Sequence, residues 1–493
     1  MSLHSSGFLS CIQIPVKAKI INISLVLLIL FKLVLSFIQQ ARISLDGDMA
    51  SIIVPSKSYE KVMQDPFALS VLLKHESYAA PNRSFAHWMM ADYFRTVPFF
   101  MQNFTNKIDS IYASVALAKV LMQAFLLFLL ASLAGGTRKI RSREFLFPAV
   151  LISFLFQTAE FNQYIGVIDR SITYAFFYAL PMSFLLLFFQ MLFFIEKNGG
   201  WKNAGIIRKI TLIALPILIS LSGPLNPGVA LIVCVLIFCN EFWKTKSRNE
   251  NIFSTLFARI KQIPQSIRIT FPILILLSMY SWYIGQFNSE NFNFSLPIKE
   301  RYLRMFDVMP DFFFGNSALP VLILFILLNF IFLRFTPNTK ERSDVFQSGK
   351  LILIFSLVYL LLLPLGGYRG YRPTILRWDT FVPVYICLYF LAGYTSVVLF
   401  KQILPQTRKI QFVWLLSFCV YFFIPDASLY KDNKYERLRL KDLANSQEEM
   451  VELKNDCTVM AWVLLRDYRE SELNCKLLKY WGVIEKPRFY FQK

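Results

Sequence analysis

IINISLVLLILFKLVLSFIQQARISLDGDMA, residues 20–50, joins an apolar run to an acidic turn. A helix needs about 20 apolar residues to cross a hydrocarbon core of roughly 30 Å, and residues 20–38 meet that need. Lys17 and Lys19 precede the run, and no small-x-small cleavage site follows it at Gln39-Gln40-Ala41-Arg42. It therefore reads as an uncleaved signal anchor with its N-terminus in the cytoplasm. Leu45-Asp46-Gly47-Asp48-Met49-Ala50 then stands where the helix leaves the bilayer. Carboxylates at that depth are costly unless they are paired or have a function.

The rest of the chain repeats the first part of this pattern. Of 493 residues, 55% are hydrophobic and 17% charged, 50 are Phe, and the mean hydropathy is +0.47. Apolar runs recur at 111–133, 145–158, 172–195, 210–221, 229–242, 269–284, 318–335, 351–365, 381–400 and 412–424, giving about eleven spans. Helices satisfy their own backbone inside lipid, and no alternating pattern suggests a barrel. The expected fold is an all-α polytopic membrane protein. The net charge of +20 sits mainly in short loops such as Arg138-Lys139-Ile140-Arg141-Ser142-Arg143. The positive-inside rule accounts for that placement, and no nucleic-acid partner is needed. Eleven spans, an odd number, from a cytoplasmic start put the polar stretch after the first span outside, together with the C-terminus. The expected organisation is a bundle over residues 1–425, with a first outer loop at 43–110, and an extracytoplasmic helical domain over 426–493. Cys457 and Cys475 would then lie in an oxidising compartment, where a disulfide can form.

The first outer loop carries two helix signals. Asp65-Pro66 offers an N-cap followed by a proline at the first helical position. Asn82-Arg83-Ser84 precedes Phe85, Trp88, Met89 and Tyr93 at helical spacing. Both helices suit an interfacial position, or a small packed cap.

The acidic and mixed-charge clusters fall on the outer side. Asp46-Gly47-Asp48 suits a general base or, through its oxygens, a divalent cation; it also suits a plain turn ending the helix. Asp169-Arg170 precedes the fourth span, either as a helix cap or as a second acid facing the first. Tyr368, Arg369, Arg372, Arg377 and Asp379 fall in one loop with Tyr371 and Trp378. Guanidinium forks suit phosphate, whereas an aromatic belt with snorkelling Arg would anchor headgroups. Arginines at this density outside oppose the positive-inside rule. His75 and His87 lack a zinc spacing, and no P-loop, dinucleotide fingerprint or nucleophile elbow is present.

An acidic residue after span 1, a long first outer loop with interfacial helices, Tyr164-Ile165 and Asp169-Arg170 before span 4, and a closing extracytoplasmic domain together resemble the GT-C superfamily of membrane glycosyltransferases. The spacing from Tyr164 to Tyr178 is similar to the family's entry to span 4, but the acidic residue there, Asp169, is not part of an Asp-x-Asp. The resemblance implies transfer of a hexose or pentose from a polyprenyl-phosphate-linked donor to a lipid-linked glycan or cell-envelope acceptor, at the outer face of a bacterial inner membrane. It implies Asp46 or Asp48 as general base, with Asp46 nearer the helix. It implies Arg369, Arg372 and Arg377 on the donor phosphate, and Asp169, Arg170, Tyr164, Tyr368 and Asp379 around the substrate. No soluble cofactor is implied, since the carrier phosphate is the leaving group. A surface-polysaccharide polymerase or ligase is the alternative enzyme, but its large outer loop lies late in the chain. A transporter or flippase of lipid-linked substrates is the non-enzymatic alternative, and it would show internal repeats and mid-span charges.

Overall fold

The computed structural model describes residues 16–156, 165–244, 260–291, 296–366, 368, 372, 374–402, 408–423, 430–486 and 488–493. Helix α1 (Val16–Gln40) leads to three short helices, α2 (Met49–Ile53), α3 (Lys57–Gln64) and α4 (Leu69–Lys74), and then to α5 (Ser84–Met101). The next helices are α6 (Lys107–Gly135), α7 (Arg143–Leu155), α8 (Ile172–Lys197), α9 (Ile206–Ser220) and α10 (Asn226–Lys244). They are followed by α11 (Gln265–Gly285), α12 (Ile298–Phe314), α13 (Ala318–Arg334), α14 (Lys340–Leu362), α15 (Trp378–Gln402) and α16 (Arg408–Tyr421). The C-terminal segment holds α17 (Tyr430–Asn445), β1 (Met450–Leu453), α18 (Glu472–Tyr480) and β2 (Phe489–Gln492).

The chain is an all-α polytopic membrane protein, and among the described residues the apolar runs in the sequence fall on helices. Among the described residues seven helices are long and apolar enough to cross a membrane, or eight if α12 and α13, bent by 74°, form one broken span. Helices α7, α9 and α16 have 13, 15 and 14 residues, short of the length a full crossing needs. Hydropathy alone does not register how early such helices stop. Residues before the α12–α13 bend, expected as loop, form the amphipathic α12, with Leu303, Phe306 and Phe314 exposed.

Helix α6 is central and packs against α1, α5, α7, α8 and α15. Between lipid-bathed helices close packing and polar pairs replace the hydrophobic drive. At Gly393 of α15 a Cβ would come within 2.7 Å of Ile152 of α7, so glycine permits that approach. Asn329 of α13 donates to the Thr395 and Ser396 hydroxyls at 3.1 Å and accepts from the Trp414 indole at 3.2 Å.

The loop helices divide as amphipathic elements should. Asp65 accepts from the Leu69 and Ser70 amides at 2.8 Å, so α4 starts later than the Asp-Pro pair suggested. On α5 the face Ala86, His87, Met90, Ala91, Phe94 and Pro98 is buried, while Trp88 is exposed. Apolar side chains left exposed here (Leu73, Trp88, Phe100 and Phe104) fit an interfacial position.

The C-terminal segment is helical with an added two-stranded parallel sheet, Met450 pairing with Phe489 and Leu453 with Gln492. Leu440, Leu443, Trp481 and Tyr490 are fully buried and continue the core of the bundle. Cys457 and Cys475 are buried free thiols, so the disulfide expected from compartment alone is not formed. Their burial among apolar neighbours makes them packing residues.

Candidate active site

The loop after α1 turns at Asp46-Gly47-Asp48 against the start of α8. Asp46 is buried, and both its oxygens are occupied. It accepts from the Ser171 hydroxyl at 2.9 Å, the Thr173 amide at 2.9 Å, the Thr173 hydroxyl at 3.0 Å and the Asp48 amide at 3.1 Å. Its four donors hold the carboxylate as an acceptor on both oxygens. These bonds tie the turn to the start of α8.

Asp48 stands differently. It precedes α2 without capping it through its side chain. Burial pushes its carboxyl above the usual range, and Asp46 adds to the rise. The Trp462 indole hydrogen bond and the Arg372 guanidinium draw it back down. Gly47 makes this arrangement possible: a Cβ there would lie 2.7 Å from both the Trp462 ring and the Trp462 backbone nitrogen. Trp462 belongs to the C-terminal segment, stacks on Tyr174 at 5.9 Å and remains 46% exposed.

Beside this turn lies a pocket of about 120 Å³ lined by Asp169, Arg170, Ser171, Tyr174, Arg377, Trp378, Asp379 and Trp462. Arg377 holds Asp379 in a two-point fork, Nε to Oδ1 at 3.0 Å and Nη2 to Oδ2 at 2.8 Å. Burial works against the Arg377 charge, and Asp379 more than offsets it, leaving the guanidinium's pKa above its usual value. Asp169 accepts from the Ser171 amide at 2.7 Å. Burial raises its pKa; that amide bond opposes the rise, nearby Asp379 adds to it, and Lys119 and Arg170 oppose it. Lys119 projects from the middle of α6 and donates to the Arg170 carbonyl at 2.5 Å. Arg372 bonds the Tyr174 hydroxyl and lies 5.0 Å from its ring.

A π-helical turn, Ala175–Ala179, sits at the base of this site within α8. Pro181 supplies no N–H to that stretch, and a wider turn is one way for a helix to absorb the loss. The turn aims Tyr174 and Tyr178 at each other, edge to face at 5.9 Å. On the far side of Asp48, Tyr59 donates to Glu290 at 2.8 Å, and His87 packs between Tyr59 and Phe177.

The structure therefore joins Asp46, Asp48, Asp169, Arg170, Arg372, Arg377 and Asp379 in one cluster. Tyr368 is not part of it: its buried hydroxyl donates to the Arg301 carbonyl of α12 at 2.5 Å, away from the pocket lining. Tyr164 and Arg369 lie outside the described residues. Trp462, Tyr174 and Lys119 were not expected from sequence. Trp462 gave no signal, lying 416 residues from Asp46, whereas Lys119, a cation within an apolar run, did. Among the described residues no group of three or more His, Cys, Asp or Glu side chains could hold a metal ion.

No family model matches the chain, and no curated protein does. The chain is similar to the crystal structure of ArnT from Cupriavidus metallidurans in the apo state, with a TM-score of 0.37 and 16% identity, over 84% of this chain and 68% of that one.

Proposed function

We propose that the chain is a membrane glycosyltransferase of GT-C type, moving a hexose or pentose from a polyprenyl-phosphate donor to a lipid-linked glycan or cell-envelope acceptor at the outer face. One observation carries this reading. A half-buried carboxylate with raised pKa, Asp48, adjoins a pocket lined by arginine and aromatic side chains at the end of a lipid-exposed helix. Asp48 is the general base that takes the proton of the acceptor hydroxyl as it attacks the anomeric carbon. The sugar–phosphate bond breaks as the new glycosidic bond forms, and the carrier phosphate leaves with the bonding pair. Arg372, together with the Arg377–Asp379 fork, holds that phosphate and stabilises its charge. Arg369 is a further candidate for the phosphate. Asp169, Arg170 and Tyr174 line the sugar's side, and Trp462 packs on the ring. The bilayer delivers the donor tail laterally, so no soluble cofactor takes part.

The test is transfer by the purified protein in proteoliposomes, with a radiolabelled polyprenyl-phosphate sugar and extracted envelope lipid. Asp48→Asn should lower kcat by about 10²–10⁴, the usual worth of a general base. Its KM should stay near the wild-type value. Wild-type turnover in Asp48→Asn would overturn the assignment.

A further inference from the structure

A second pocket, of about 540 Å³, opens where the C-terminal end of α1 meets α17. One stripe of α17 faces it: Tyr430, Lys434, Leu438 and Lys441 recur at spacings of four, four and three. From α1 come Ile38 and Arg42, the latter 5.2 Å from the Tyr430 ring. Arg437 also lines it, though it is already committed to Asp109, Asn433 and the Ala41 carbonyl. No acidic side chain lines this pocket. Of the three acids of α17, Glu436 is buried toward Tyr112, Asp442 pairs with Arg439, and Asp432 is exposed outside the pocket lining. Among the described residues neither Lys434 nor Lys441 has an ion-pair partner, and both are exposed.

The apolar side of the pocket continues into the bilayer. Leu27, Phe31, Val34 and Ile38 form an exposed stripe along α1, 60%, 53%, 58% and 42% exposed, and this stripe ends at the pocket. A cationic pocket at the top of a lipid-exposed track matches a ligand with an anionic head and hydrocarbon tails. Each interfacial Lys or Arg attracts anionic lipid, and the aromatic Tyr430 suits the headgroup level.

We propose that the pocket between α1 and α17 binds an anionic glycerophospholipid, its phosphodiester held by Arg42, Lys434 and Lys441 and its acyl chains lying along the exposed face of α1. The site is separate from the Asp48 pocket and does not rest on the transferase reading. A bound lipid would also bridge α17 to the first span beside Ala41 and Ile43, whose carbonyls already accept from Arg437 and Asn433.

Native mass spectrometry of the full-length protein in detergent tests this with phosphatidylglycerol, phosphatidylcholine and inorganic phosphate as probes. The wild type should retain phosphatidylglycerol at least tenfold better than phosphatidylcholine. Lys434→Gln with Lys441→Gln should lose that preference while keeping the wild-type melting temperature, since both side chains are exposed. Equal retention of the two lipids by the wild type would overturn the proposal, as would an unchanged preference in the double variant. Displacement of phosphatidylglycerol by an equal concentration of inorganic phosphate would overturn it too, by showing that the tails contribute nothing.

Discussion

Asp46 and Asp48 are two residues apart and chemically alike, yet their surroundings divide them. Four donors saturate Asp46, while Asp48 keeps a raised pKa beside the pocket. The sequence preferred Asp46 as base because it lies nearer the first helix, and proximity in sequence carries no information about which oxygens are already bonded. The division predicts distinct phenotypes. Asp46→Ala leaves buried donors without an acceptor and should destabilise the protein by about 1–3 kcal/mol, seen as a lowered melting temperature. Asp48→Asn should melt like the wild type and show the lowered kcat. The pH profile follows from the base role. Only the carboxylate accepts a proton, so kcat/KM should fall as pH drops through the Asp48 pKa. Because burial and Asp46 raise that pKa, the acid limb should sit above the ordinary aspartate range. An acid limb at the ordinary value, or none, would remove Asp48 from the chemistry.

The helices that carry the site were largely readable as elements, because apolar runs of span length have few alternative structures. What was not readable was which face of each helix is buried. On α5 the large residues Phe85, Trp88, Met89 and Tyr93 form the evident stripe, whereas the structure buries His87, Met90, Ala91 and Phe94. Composition cannot tell a lipid-facing apolar stripe from a protein-facing one, since both are apolar. His87 on the buried face has a measurable consequence. Burial lowers its pKa from 6.5 to about 4, with the Arg83 carbonyl, 3.0 Å from Nδ1, opposing that fall. The unfolded chain then binds more protons than the folded one between those values. Stability should be full above pH 6.5 and fall as pH drops toward 4, by on the order of 3 kcal/mol in all. Thermal melts in detergent across that range should show the loss, and His87→Phe should flatten it. A wild-type melting curve insensitive to pH over this window would refute the buried neutral imidazole.

At the scale of the whole molecule the C-terminal segment is part of the site. Glu436 of α17 is fully buried and accepts from the Leu45 amide at 2.9 Å, the Met460 amide at 2.9 Å and the Tyr112 hydroxyl at 2.8 Å. One carboxylate thus ties the residue before Asp46 to the segment carrying Trp462 and to α6. Nothing in a single sequence links residues so far apart, which is why the segment reads from sequence as a separate domain. The join is closest at Gly47, where the backbone nitrogen of Trp462 leaves no room for a Cβ. A rotamer change cannot relieve a contact with backbone, so Gly47→Ala must push the two segments apart. Overpacking of this kind costs about 1–3 kcal/mol. The displaced Trp462 would also release its hydrogen bond to Asp48, a bond that favours the carboxylate. Gly47→Ala should therefore lower the melting temperature and move the acid limb of kcat/KM to higher pH. Trp462→Phe separates the two effects, since it keeps an aromatic ring over Gly47 while removing the indole N–H. It should move the acid limb in the same direction and leave the melting temperature close to wild type. If neither variant moves the acid limb, the C-terminal segment packs on the site without tuning its base.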